Sequence, residues 1–396
     1  MKNFGFGIDN LLQDPALKAK LGGRRVGLVA HPASVTTQSE HSLDALINAG
    51  IRVERAFGPQ HGLRGDRQDN MMESGDFTDP RHRIPVISLY GTYRYPQPEM
   101  LNGLDVVLFD LQDIGCRVYT YITTLRYFVK ACMEHGVELW ILDRPNPSGR
   151  PVDGMYLVDG EQSFVGCDLL PMRHGLTIGE LAIWFADQLK CSHPKIIPMM
   201  HYELSSSPGF GWPLSRIPWI NPSPNAGSLN MARCFPGTVL LEGTTLSEGR
   251  GTTTPLEVAG APDIPVDELI SLMEPQSGIR LRPCCFTPVF HKHVDALCQG
   301  FQIHTDSPDY LHDAFKPFRL MAGFLKALRQ LLPEYDLWRY HEYEYETDRI
   351  PVDVINGGPF LRQWVDDASA GPEELDTRLE QTELDWLDQR HPYLRY

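Results

Sequence analysis

Five short apolar segments, separated by helix-like stretches within the first 150 residues, most constrain what this chain can fold into. They read RRVGLVA (24–30), IRVERAF (51–57), IPVISLYG (84–91), DVVLFDLQD (105–113) and VELWILD (137–143). IRVERA alternates in the β-branched way of a strand, while the near-continuous hydrophobicity of the others marks strands buried on both faces, the condition of a parallel sheet. Between them, SEHSLDALINAG (39–50) sets Leu43, Leu46 and Ile47 on one helical face and stops at Gly50. PEMLNGL predicts a short helix, and YTYITTLRYFVKACMEHG a long one ending at Gly136. Right-handed crossovers then give an α/β, Rossmann-like doubly wound parallel sheet over residues 1–150. The turn after the first segment reads VAHPASV, without GxGxxG, so the sheet alone names no dinucleotide.

From about residue 150 the texture changes. DRPNPSGRPVDG reads as a Pro/Gly-rich link to a second, smaller α+β domain, residues 151–396, with a cleft between the two. TIGELAIWFADQLK predicts a helix opened by a Thr177/Glu180 capping box. VDELISLM and AFKPFRLMAGFLKALRQLL follow as helices, with strand patterns around IRLRPCCFTPVF and CQGFQIHTD. The acidic end, DDASAGPEELDTRLEQTELDWLDQRHPYLRY, reads as a pair of surface helices.

A formal net charge of −15, with no Lys/Arg block, argues against nucleic-acid binding. No run approaches the roughly 18 apolar residues of a membrane span, so no membrane association is expected. MKNFGFGIDNLLQDPALKAK has no signal-peptide apolar core. A cytoplasmic location is expected for the chain as given, and a periplasmic or secreted one for a chain whose leader has been removed. The eight cysteines form no CxxC pair, which points to reduced thiols and no zinc site. Nothing here sets an oligomeric state.

Open parallel sheets bind ligands beyond the carboxyl ends of their strands. The residues there are His31 after the first segment, Gln60 and His61 after the second, Asp110, Gln112 and Asp113 after the fourth, with Arg117 and Tyr119 close behind, and Asp143, Arg144 and Asn146 after the fifth. Each could instead be a cap or turn former. A second concentration is EGTTLSEGRGTTTP, in which Glu242, standing at a predicted strand end, Glu248 and Arg250 ionise. A third is WINPSPN, a rigid aromatic and proline surface carrying Asn225. Carboxylates and aromatics without a GxSxG elbow or a P-loop suit glycoside hydrolysis. Metal-assisted hydrolysis through His31, His61, Asp110 and Asp113, and plain sugar binding, remain alternatives at this level.

FGPQHGLRG, DLQDIGCRVYTYITTL, LDRPNPSG, RHGLTIGELA, NPSPN, FPGTVLLEGTTLSEGRGTTTPLEVAGAP and CQGFQIH, in this order, resemble the NamZ-type exo-β-N-acetylmuramidases, formerly a bacterial family of unknown function. The resemblance runs from about Gly7 to the C-terminal helices. It implies a Rossmann-like domain, a smaller domain, and release of terminal N-acetylmuramic acid from non-reducing ends of peptidoglycan fragments. It implies no cofactor, a muropeptide or muramic-acid saccharide as the small-molecule partner, and a cationic side chain for the lactyl carboxylate (Arg117, Arg144 or Arg250). Glu73, Glu242, Glu248 and Asp113 are the candidate acid/base or nucleophilic groups, two of which should face one pocket. His31, Gln60, His61, Tyr119, Asp143, Asn146 and Asn225 are candidate binding residues. The family's Pro-Glu-His-Gly is Pro-Gln-His-Gly here, at Gln60, and a family glutamate after DRPNP matches Asp153. If the family glutamate is the acid, Gln60 makes this chain an impaired sugar-binding homologue; if it only hydrogen-bonds sugar, glutamine serves.

Overall fold

The computed structural model describes residues 3–65, 73, 75–206, 209–214, 216–275 and 277–396. Six strands come from the first 150 residues: β1 (Val26–Ala30), β2 (Val53–Gly58), β3 (Phe77–Thr78), β4 (Pro85–Ser88), β5 (Val106–Asp110) and β6 (Glu138–Leu142). Then follow β7 (Asp153–Tyr156), β8 (Pro171–Arg173), β9 (Lys195–Ile197), β10 (Val258–Ala261), β11 (Arg280–Phe286) and β12 (Cys298–His304). The main sheet has seven strands in the order β3-β4-β2-β1-β5-β6-β9, parallel except at β3. It extends past the proline-rich link, because β9 pairs with β6 through Trp140 and Lys195.

Alternate residues of the central strands enter two different cores. Val29, Phe57, Val107 and Phe109 pack on one face, and Leu28, Ala56, Val106 and Leu108 on the other. That two-sided burial is why the strands read as unbroken apolar runs. The first of these cores continues into the second unit, where the antiparallel sheet β10-β12-β11 lies against helix Pro317–Leu331, with Phe301 edge-on to Phe324 at 5.0 Å. Thr177 caps helix Ile178–Gln188 in the capping box with Glu180. All eight cysteines are unpaired thiols. Among the described residues no helix is long and apolar enough to cross a membrane.

Two local expectations are corrected. GTVLLEG is not a strand: helix Leu229–Thr238 passes directly into a 3₁₀ turn, Val239–Gly243, which carries Glu242. A five-residue apolar run buried all round has no periodicity to tell strand from helix. The acidic end forms one long helix, Pro372–Arg390, and a single 3₁₀ turn.

Arg117 is a fastener of this fold. Its guanidinium is buried and donates to four carbonyls: Met155 and Leu170 through Nη1 at 2.8 and 2.7 Å, Ile355 and Asn356 through Nη2 at 3.1 and 2.7 Å. Burial without a carboxylate partner lowers its pKa to about 10. Arg117→Met strips four buried acceptors of their donor, so it should cost about 3 kcal/mol or more at about 1–3 kcal/mol per orphaned group. Urea unfolding checks this, and a loss under about 1 kcal/mol contradicts the fastening role.

Candidate active site

The strand order reverses between β1 and β5, where a doubly wound sheet ordinarily opens its ligand crevice. Here that crevice is filled by its own side chains. Arg144 lies on the Asp110 carboxylate through Nε at 2.6 Å and Nη2 at 2.9 Å, and donates to the Val35 carbonyl at 2.9 Å. The Phe6 ring sits 4.6 Å from its guanidinium carbon, and the Ser42 hydroxyl donates to Asp110. His31 Nε2 accepts from the Gln112 backbone N–H at 3.0 Å, and burial together with Arg144 lowers its pKa to about 3.

At the β6 end, Asp143 accepts from Thr177, Gly179 and the Tyr396 hydroxyl; burial, with Glu180 nearby, raises its pKa to about 6. Asn146 bridges Leu176 and Ser148. Asp113 accepts from Gly115 N–H at 2.6 Å and faces His174 Nε2 at 3.6 Å. Asp153 accepts from the Phe318 N–H in the second unit, and burial raises its pKa to about 6. Together with Arg117, these residues serve as internal braces. They do not line the pocket described next.

The open space lies to one side of the switch point, off the end of β2. It is a pocket walled by both units, with about 470 Å³ of empty space when the solvent at its mouth is included. After Gly58 the chain turns through His61 and Gly62, both left-handed (φ 69° and 79°), which brings Gln60 and His61 to the pocket wall. Tyr119 and Thr120 come from just before helix Tyr121–His135, Ser223 and Asn225 from the proline-rich loop, Glu242 from the 3₁₀ turn and Arg250 from the tract after it. Gln60, His61, Tyr119, Asn225, Glu242 and Arg250 are therefore brought together, out of a wider set singled out from sequence.

Two carboxyl groups face this pocket, and their surroundings differ. Glu242 receives Arg250 Nη2 at 2.6 Å on one oxygen and the Tyr343 hydroxyl at 2.7 Å on the other. Behind Arg250, Glu248 lies against Arg250 Nε (3.2 Å), His291 Nδ1 (3.2 Å) and Lys292 Nζ (2.6 Å). Burial opposes its charge, but Lys292, His291 and Arg250 hold its carboxyl far below the usual range. Glu248 supports Arg250 and does not line the pocket.

The second pocket carboxyl is Glu344, which sequence reasoning missed. It accepts from the Tyr90 hydroxyl at 2.8 Å and Gln60 Nε2 at 3.1 Å. Burial raises its pKa to about 7, with Glu242 adding to the rise. Glu344 and Tyr345 are both left-handed (φ 47° and 73°) inside a turn closed by Tyr343 N–H to Glu346 O at 3.0 Å and Glu346 N–H to Tyr343 O at 2.9 Å. Glu73 is exposed, with Oε1 3.5 Å from the Tyr345 hydroxyl. Among the described residues, no three His, Cys, Asp or Glu side chains converge as metal ligands.

Models of the exo-β-N-acetylmuramidase NamZ match most of the chain, the N-terminal part over residues 26–230 and the C-terminal part over 233–396. The chain belongs to the NamZ family. It is 36% identical to the peptidoglycan β-N-acetylmuramidase NamZ of Bacillus subtilis (strain 168) over 98% of this chain and 91% of that protein. A DUF1343 family protein of Bacteroides fragilis superposes with a TM-score of 0.84 at 26% identity, covering 100% of this chain and 99% of that one. A second from the same organism gives 0.75 at 24% identity with the same coverage, a likeness of fold.

The raised Glu344 pKa has a consequence for stability. Folded, this carboxyl keeps its proton up to about 7, whereas an unfolded glutamate releases it near 4.5. Its contribution is therefore complete below the unfolded value and is lost as pH rises through the folded one. Glu344→Gln, which cannot ionise, should gain stability relative to the parent between pH 5 and pH 8, by up to about 1.4 kcal/mol per pH unit. Urea midpoints across that range provide the check; a pH-independent difference contradicts the raised pKa.

Proposed function

We propose that this chain is an exo-β-N-acetylmuramidase, releasing terminal N-acetylmuramic acid from the non-reducing ends of peptidoglycan fragments, with Glu344 as its general acid and Glu242 as its second carboxyl. The observation that carries the roles is the contrast between the two pocket carboxyls. Glu344 is buried against the Tyr90 hydroxyl and the Gln60 amide, with Glu242 nearby, and holds its proton near neutral pH, as a group that protonates a leaving-group oxygen must. Glu242 lies directly against a guanidinium and a phenol, an environment matched to negative charge. It faces the anomeric carbon as base or nucleophile, and stabilises the oxocarbenium-like transition state.

His61, Tyr119 and Asn225 supply polar contacts for the sugar's hydroxyl and acetamido groups. Arg250 is the one of the three candidate arginines that lines the pocket, so it is the guanidinium available to the lactyl carboxylate. The binding-only reading rested on Gln60 and Asp153, and it is not favoured. Two carboxyls already face the pocket without residue 60, and Asp153 is a buried brace that does not line it.

A chromogenic β-N-acetylmuramide tests the assignment. The parent should release the chromophore, and no release above buffer would overturn the activity. Glu344→Gln should lower turnover about 10²–10⁴-fold on a sugar leaving group. It should lose far less on an activated aryl leaving group, which departs without protonation. Glu242→Gln should lose activity on both substrates. Equal losses for Glu344→Gln on the two substrates would remove Glu344 from the acid role.

A further inference from the structure

Gln60 sits between two groups that fix which way its amide faces. The Thr120 hydroxyl donates to Gln60 Oε1 at 2.7 Å, and Gln60 Nε2 donates to Glu344 Oε1 at 3.1 Å. With its oxygen engaged by Thr120, the amide presents only N–H toward Glu344. The other Glu344 oxygen receives the Tyr90 hydroxyl, so Gln60 and Tyr90 each hold one oxygen of the carboxyl. Residues 60 and 344 are 284 positions apart in sequence, which makes this contact a direct tie between the sheet end and the second unit.

We infer that Gln60 is a positioning residue for Glu344: its Thr120-oriented amide fixes the direction of the acid's carboxyl and sets the pH range over which that carboxyl carries a proton. The inference rests on the assignment of Glu344 as the general acid. A neutral amide at residue 60 stabilises the ionised carboxyl by one hydrogen bond, a smaller pull than a charged donor at that position would exert. Glu344 thus keeps its proton into the neutral range yet can still release it. Among the described residues, the titratable groups facing it include Glu242, which favours the protonated form, Arg250, which opposes it, and the phenols Tyr90, Tyr343 and Tyr345; His61 lines the same pocket.

Residue 60 therefore controls the alkaline limb of the pH profile. Gln60→Met removes a donor to the ionised form, so Glu344 should hold its proton to higher pH. Gln60→Glu places a second carboxyl within hydrogen-bond distance of the first, and the two share one proton. Thr120 still donates to the residue-60 oxygen, which leaves the shared proton on the Glu344 side.

The experiment is the pH dependence of kcat/KM on a β-N-acetylmuramyl disaccharide, whose sugar leaving group needs protonation, for the parent, Gln60→Met, Gln60→Glu and Glu344→Gln. The expected result is an alkaline limb in the parent, displaced upward by about one pH unit or more in both residue-60 variants. Glu344→Gln should lack this limb. If the limb stays put in both residue-60 variants while Glu344→Gln lacks it, the positioning role falls and the acid assignment stands. If Glu344→Gln keeps the parent's limb, the acid assignment itself fails. A rise in kcat/KM at every pH in Gln60→Glu would make residue 60 a participant in the chemistry and overturn the inference. Thermal unfolding of each variant separates a misfolded protein from a shifted limb, and a merely structural role for Gln60 does not move the limb.

Discussion

The buried Asp110–Arg144 pair decides where this fold can and cannot hold a ligand. Both side chains are almost wholly withdrawn from solvent, and two parallel hydrogen bonds join them across the ends of neighbouring strands. Desolvating two charges is costly unless the geometry is close to ideal and the remaining donors are satisfied. Here a third Arg144 N–H finds the Val35 carbonyl, Ser42 caps the carboxylate, and Phe6 covers the guanidinium face. These side chains occupy most of the crevice that a doubly wound sheet would open between β1 and β5, leaving a small cavity beside Phe6, Gln112 and Arg144, and a wider pocket lies at the end of β2, where the second unit supplies the opposite wall.

That displacement explains why strand-end reasoning located the site only in part. The sheet was legible because burial on both faces leaves an apolar run with no alternation, and β1, β5 and β6 carry that mark, whereas β2 is interrupted by Glu54 and Arg55. The polar tips were legible as a class, since His31, Asp110, Asp143 and Arg144 do cluster at strand ends. Their use was not legible. A buried brace and a ligand contact demand the same residue types, and only the partner across space separates them: Thr177, Gly179 and Tyr396 for Asp143, four carbonyls for Arg117. Glu242 and Arg250 were found because EGTTLSEGRGTTTP is too poor in apolar residues to be core. Even there the element was misjudged, since a short buried 3₁₀ turn and a short buried strand look alike in one dimension.

Glu344 shows the opposite limit. It lies in HEYEYE, where alternating acids and aromatics suggest a solvated segment, and no spacing rule marks it out. What turns it inward is a two-residue turn whose central positions, Glu344 and Tyr345, both take a left-handed backbone that glycine or asparagine would adopt far more readily. Non-glycine residues in that region cost about 1–3 kcal/mol each and persist only where the surroundings enforce them. The enforcement is visible. Tyr345 packs edge-on to Tyr90 at 5.8 Å and lies beneath the Arg94 guanidinium at 3.6 Å, while Glu344 takes the Tyr90 hydroxyl. Tyr343, one residue earlier, spends its own hydroxyl on Glu242.

One strained turn thus delivers a carboxyl to the pocket and, through its neighbour, a hydrogen bond to the other carboxyl, so the two groups cannot be positioned independently. A looser turn of ordinary backbone would let Glu344 swing toward solvent, where a glutamate ionises well below neutral pH and ceases to be an acid there. Backbone strain and burial therefore act on the same property, the proton held by Glu344. The site draws its chemistry from a local conformation that local sequence preference disfavours.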